Sequence, residues 1–298
     1  MEPPSESPPI RRRGLFAHSP WDAVPVLCAL AHFAFVLLLF WFFTRLPWWA
    51  LLPLGALYSI SISWNINGIS HNFLHNPYFS SPLLNRLFSL MESLTMGISQ
   101  EFYTCVHMRH HMGNSDLQDE KGQTVDWLSI YRHGKNGAPE PLWRYVFLSY
   151  FRDDPKAIYQ EIHRRNPSDA RWGILEIVAF VIFYGTLFVL NWQFALFFIP
   201  FYYLGHCLSH LNGYFEHFGG NPRVPIAWGV STYESLYNWT WFYNGYHAEH
   251  HFRPKMHWTK MRQLRYSILE DQKKAGTHVI SPPHALGFLD KKNRSLSN

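Results

Sequence analysis

Residues 48–75 read WWALLPLGALYSISISWNINGISHNFLH. Positions 48–66 carry no charge, and the stretch closes on two histidines spaced four apart, His71 and His75. Taken as one helix, the run covers ~34 Å between Trp48 and His71 at 1.5 Å per residue. The hydrocarbon core of a bilayer is ~30 Å thick. The reading is therefore a membrane span that delivers a pair of imidazoles just beyond the apolar boundary, with Pro77 ending the helix.

Working outward, Trp21–Phe43 forms a preceding apolar run whose polar residues include Asp22 near its start and His32. A short break with Arg45 and Pro47 joins the two runs into a hairpin. A second hairpin is read at 172–190 and 192–211, joined at Asn191. Tryptophans mark several span ends, as expected at headgroup level. Only 16% of the 298 residues are charged and 47% are hydrophobic, against about a quarter charged in soluble domains. That composition excludes a disordered chain. Two core hairpins of a soluble protein are the competing reading, but charge-free runs of this length are rare there.

Of the 26 Lys and Arg residues, only Arg45 lies in a tight hairpin loop. The positive-inside rule places both termini and residues 67–171 in the cytoplasm. The expected architecture is an all-α integral membrane protein. It has four transmembrane helices in two hairpins (about 21–43, 48–66, 172–190 and 192–211) under a cytoplasmic helical cap that carries the histidines. Residues 1–20, with Arg11–Arg13, read as a disordered tail, 21–265 as one domain and 266–298 as a C-terminal cytoplasmic tail. Leu83–Val106 reads as one interfacial or buried amphipathic helix and 112–145 as a loop. Cys28, Cys105 and Cys207 make neither a CxxC pair nor a disulfide framework.

The chain has 18 histidines, and four groups stand out: His71/His75, His107/His110/His111, His206/His210/His217 and His247/His250/His251. Residues three or four apart share a helix face, so each box can aim imidazoles at one point. His206, His210 and His217 spread along ~16 Å of axis, too far for all three to reach one ion. All four groups fall at one end of the spans. A single zinc needs three or four ligands, and two metals fit so many imidazoles better. Imidazole suits Zn, Cu, Fe and Ni alike. A metal transporter is the rival from another class, but its ligands belong near mid-bilayer.

The boxes His71-x3-His75, His107-x2-His110-His111 and His247-x2-His250-His251 resemble those of membrane fatty acid desaturases and hydroxylases. Their order and placement around two span pairs match over roughly residues 20–265. The segment Asn212-Gly-Tyr-Phe-Glu-His217-Phe-Gly219 is similar to the NYxEHYG motif of membrane alkane hydroxylases, departing at Gly213 and Phe218. The resemblance implies a non-haem centre of two Fe ions that activates O2, with His217 as a ninth ligand. His206 or His210 stays open as a further ligand.

Glu216, Glu249 and Asp126, with Glu101, are candidates to accept the outer N–H of a ligating imidazole. Asn244, three residues before His247, is a further polar candidate. Aromatic residues flanking the boxes, Phe73, Tyr78, Phe102, Tyr103, Tyr214, Trp239, Trp241 and Phe242, include candidates for lining an alkyl-chain tunnel.

The implied reaction is O2-dependent removal of hydrogen from a fatty acyl chain. Loss of a second hydrogen gives a double bond, and rebound gives an alcohol. Hydroxylation and oxidative decarboxylation to a terminal alkene remain alternatives. The sequence has no CxxC pair, haem-attachment motif or Gly-rich dinucleotide fingerprint. The expected partners are the lipid bilayer, a lipid substrate and a separate donor of ferredoxin, rubredoxin or cytochrome b5 type with its reductase. No nucleic acid partner is expected. Arg253, Lys255, Lys260, Arg262, Arg265, Lys273 and Lys274 could dock an acidic donor or contact anionic lipid.

Overall fold

The computed structural model describes residues 14–296. Most of the expected N-terminal tail, including Arg11–Arg13, lies outside the described residues. The part inside pairs with the cap: Ala17 N–H donates to Tyr78 O (2.8 Å) and Ser80 N–H to Leu15 O (3.0 Å).

The fold is helical. In chain order the helices are α1 (Ala23–Phe42), α2 (Trp48–Trp64), α3 (His71–His75), α4 (Pro82–Met96), α5 (Gln100–Gly113), α6 (Leu142–Leu148) and α7 (Pro155–Arg165). They continue with α8 (Pro167–Leu190), α9 (Trp192–His217), α10 (Ser235–Thr240), α11 (His247–Phe252), α12 (Met261–Ala275) and α13 (Lys291–Leu296). Two short parallel strands, β1 (Ser231–Thr232) and β2 (Val279–Ile280), pair Ser231 with Val279 and Thr232 with Ile280.

Among the described residues, three helical segments are long and apolar enough to cross a membrane: Pro20–Arg45, Pro167–Leu190 and Trp192–His217. Their outer faces expose Leu27, Leu38, Trp41, Val181, Val189 and Ile199, a patch far larger than water tolerates. The fourth expected span, 48–66, behaves differently. Its α-helix stops at Trp64, and a wide π-turn, Asn65–Ser70, leads directly into α3. Polar side chains occupy that turn. Asn67 Nδ2 donates to Ser63 O (2.7 Å), and Ser70 Oγ donates to Glu92 Oε2 (3.0 Å). His32 of α1 sits beside Asn65 at 3.0 Å. Such π segments concentrate at functional sites, and this one ends on His71.

Leu83–Val106 is two helices rather than one. Gly97 takes a left-handed conformation (φ +64°) that ends α4, and Ser99 caps α5 by accepting the Phe102 N–H. A side chain at Gly97 would also collide with Tyr202. The apolar run therefore folds back on itself. The expected loop is irregular over 114–141, and α6 follows it.

Residues 266–296, set apart in the sequence as a tail, pack on the cap. β2 pairs with β1, and His284 Nε2–H donates to Val230 O (2.9 Å). At the other end of the chain, buried Asp22 accepts from Trp258 Nε1 (2.9 Å) and lies 2.9 Å from His257 Nε2. The start of α1 is thus pinned to the segment that follows the third box.

α2 packs closely against α9. Gly205 makes this possible, because a Cβ there would stand 2.8 Å from Ile62 Cβ and 2.9 Å from Ser59 O. Ser59 Oγ–H donates across the interface to Phe201 O (2.7 Å). Gly205→Val is expected to destabilise the protein by about 1–3 kcal/mol through overpacking, read as a lower melting temperature in detergent. An unchanged melting temperature would show that the helices are not locked at this point.

Candidate metal centre

The three boxes and His217 come together at one end of the helices. α3 supplies His71 and His75, α5 supplies His107, His110 and His111, and α11 supplies His247, His250 and His251. His217 is the last residue of α9. The nine rings form two sets. His71, His75, His107, His111 and His250 make one, and His110, His217, His247 and His251 make the other; within each set the ligand atoms lie within 4.8 Å of one another. The boxes are divided crosswise. In α5 and α11 alike, the residues four apart stay together and the one between them joins the other set. Positions four apart differ by ~40° around a helix and positions three apart by ~60° in the opposite sense, so each helix presents rings to both sets.

Within the sets the rings meet through Nε2. His71 and His250 are 2.9 Å apart, His75 and His107 2.9 Å, His107 and His111 2.9 Å, and His111 and His250 3.0 Å. In the second set His110 lies 3.2 Å from His251 and 3.0 Å from His217, which lies 3.1 Å from His247. Ligands at right angles around an ion with ~2.1 Å bonds lie about 3 Å apart.

The tautomers agree with that spacing. An imidazole nitrogen carries either a hydrogen or an available lone pair. His71 Nδ1 faces Asn244 Oδ1 (3.1 Å), His217 Nδ1 faces Trp228 O (3.3 Å) and His251 Nδ1 faces Asn114 Oδ1 (2.7 Å). His110 Nδ1 faces Asp126 Oδ2 (2.7 Å). Each partner is an oxygen acceptor, so Nδ1 holds the hydrogen and donates it. The Nε2 lone pairs of these four rings are left pointing into the sets, as a cation requires.

Burial keeps most of the rings neutral. It pushes His71 down to about 4 and His75, His107, His111, His247, His250 and His251 well below the ordinary imidazole range, helped by repulsion from neighbouring imidazoles. At His110 burial also acts downward, but the Asp126 carboxylate outweighs it and the pKa rises. A carboxylate on the outer nitrogen likewise raises an imidazole's basicity toward a metal.

The expected acids divide. Asp126, fully buried, reaches His110 and also accepts from Ser115 N–H (2.9 Å) and Leu128 N–H (2.7 Å). Glu216 lies 3.6 Å from His247 Nδ1, and its Oε1 accepts from Asn212 and Asn244, both at 2.7 Å. Glu249 faces away from the imidazoles and accepts from Ser231 Oγ and Tyr233 Oη, both at 2.7 Å. Glu101 pairs with Arg86 outside the site. Asn244 joins His71 to Glu216. Asn114 escapes the sequence reading; its one signal is its place as the left-handed cap of α5 (φ 53°), where asparagine is tolerated. Neither His206 nor His210 belongs to either set.

An apolar cavity of about 470 Å³ lies against the rings. Phe102 and Tyr103 line it, as do His206, His210 and Gly213. Phe73, Tyr78, Tyr214 and Phe242 are packed into hydrophobic clusters instead, and Trp239 is exposed.

Residues 46–283 match the model of the family described as fatty acid desaturase. The chain belongs to the fatty acid desaturase family. The chain is also similar to an Arabidopsis thaliana protein named sphingolipid delta(4)-desaturase DES1-like, at 24% identity over 225 residues. That match takes in 73% of this chain and 63% of the relative's length.

Asp126→Asn is expected to reduce retained metal in the purified protein by about 10–100-fold at limiting metal, measured by elemental analysis after dialysis. Unchanged retention would mean that Asp126 only braces its own loop.

Proposed function

We propose that the desaturase is a membrane-bound, O2-dependent oxidoreductase with two non-haem irons, and that it desaturates a fatty acyl chain of a lipid. The observation that carries the reading is the gathering of nine imidazoles, in sets of five and four, against an apolar cavity. His71, His75, His107, His111 and His250 would hold one ion, and His110, His217, His247 and His251 the other. Imidazole alone does not choose the metal; family membership favours iron. Bound there, the irons would supply the O2 activation that an unactivated C–H bond demands.

The chain's residues do the remaining work. Asp126, Asn114 and Asn244 hold the rings in one tautomer and orientation. Phe102, Tyr103 and Val106 wall the cavity, confine an alkyl chain and exclude water. The relative's name makes a long sphingoid chain one substrate class to try.

The segment 48–70 serves as a fourth span, since its π-turn keeps the backbone hydrogen-bonded where lipid offers no partners. Asp22, the end of α3 and the end of α9 share one end of the molecule. With the charge bias of the loops, this supports a cytoplasmic site and cytoplasmic termini. Reducing equivalents come from a separate protein. The exposed residues Arg253, Lys255, Lys260 and Arg262 follow the third box directly and offer an acidic donor a docking face.

Cells expressing the desaturase should contain a new unsaturated lipid that is absent with His110→Ala, while that variant still inserts in the membrane. Product mass spectrometry separates a double bond from an alcohol or a terminal alkene. Purified protein should hold about two irons per chain. A single readily exchanged zinc, or full activity in the variant, would remove the reading.

A further inference from the structure

A second cavity adjoins the one under the imidazoles. It is a cleft of about 470 Å³ between α8 and α9. Gly97, Tyr150 and Phe180 belong to the walls of both, so the space against the histidines and the space among the apolar helices adjoin across these residues. The cleft opens on the outer face of the pair, where Val181 and Ile199 at its lips are 57% and 54% exposed.

The hydroxyls near this space are already engaged. Tyr202 donates to Gly97 O (3.2 Å), Tyr184 donates to Thr95 O (3.1 Å), and Tyr150 lies 3.2 Å from Tyr202. The cleft thus offers an occupant apolar surface rather than unmet polar groups. Midway along it, a Cβ on Gly185 would meet nothing within 4 Å. Gly185 is itself exposed, so the cleft lies unobstructed toward the surrounding lipid at that point.

The helices also set the attitude of such a chain. His206, on the wall of the cavity under the imidazoles, lies ~16 Å along α9 from His217, and the cleft lies beyond it toward the turn at Asn191. A lipid whose polar end is at the histidine end of the helices points its tail the same way.

We propose that the α8–α9 cleft is a lateral port and groove for the distal part of one long saturated alkyl chain of a membrane lipid, with the carbons near its polar end held at the histidines. What happens to those carbons rests on the proposed function; the binding does not. Because the groove is open to lipid, it does not measure the tail, and the reacting position is counted from the polar end.

Stearic acid carrying a diazirine near its methyl end is the probe. It is photolysed with the full-length protein in nanodiscs, and labelled peptides are mapped by mass spectrometry. Label is expected on residues 180–202. Gly185→Phe should cut that labelling on the order of tenfold, equivalent to losing contact with about two buried methylenes. Ala195→Phe, from the facing wall, should do the same, and both variants should keep the native melting temperature. An octanoic acid probe, too short to reach the cleft from the site, should label the cavity under the imidazoles equally in all three proteins. Label spread evenly over outward positions such as Leu27 and Leu38, or unchanged by both substitutions, would overturn the port. The readout needs neither metal nor turnover. A labelled cleft in a protein that binds no iron would sink the oxidase reading alone, and iron with product but an unlabelled cleft would sink the port alone.

Discussion

Nine imidazoles with their Nε2 atoms about 3 Å apart are the constraint around which the cap is arranged. Lone pairs packed this closely repel unless a cation lies among them, and rings this buried cannot turn to water. Four of the rings are held from their outer edges. The holding groups come from scattered places: Asn114 at the end of α5, Asp126 in the loop that follows, the Trp228 carbonyl, and Asn244 just before α11. The irregular 114–141 segment has a clear consequence on this view, since it returns Asp126 to the helix that carries His110. Asp126 accepts Ser115 N–H and Leu128 N–H with the same carboxylate that reaches the ring. Loop shape and ring orientation are thus one interaction.

The membrane helices act as rulers for this arrangement. α2 and α9 meet at Gly205, and each continues without a loop into a histidine-bearing end, one through the π-turn to His71 and the other to His217. A shift of one helix against the other would move His71 relative to His217. The C-terminal segment supplies bracing from the far side. Tyr237 Oη lies within hydrogen-bonding distance of Asn212, Asn244 and His284, and Asn212 and Asn244 both donate to Glu216. A polar network of this kind, fully satisfied in a dry place, is rigid. It ties α9, the approach to α11 and residues 266–296 into one body.

Much of this was legible in residues 48–75 and the two HxxHH boxes, because length without charge and i, i+3, i+4 spacing are local properties of a helix. The bend at Gly97 was less so. The apolar pattern of Leu83–Val106 continues through it, and only a left-handed glycine against Tyr202 reveals two helices. Glu249 shows the opposite failure. It sits between ligating-type histidines in the chain, yet helical phase turns it toward Ser231 and Tyr233.

By itself the sequence determined an apolar helical scaffold with the eight histidines of the three boxes at one end, since charge-free length and helical spacing need no knowledge of neighbours; His217 entered only through a resemblance. Tertiary structure alone decided the division into five and four, with His110 and His250 exchanged between boxes. It also decided which oxygen anchors four of the rings and where an apolar cleft opens between α8 and α9. The reason is geometric: helical phase limits the directions a ring can take, but which ring it meets depends on how α3, α5, α9 and α11, far apart in the chain, are placed against one another.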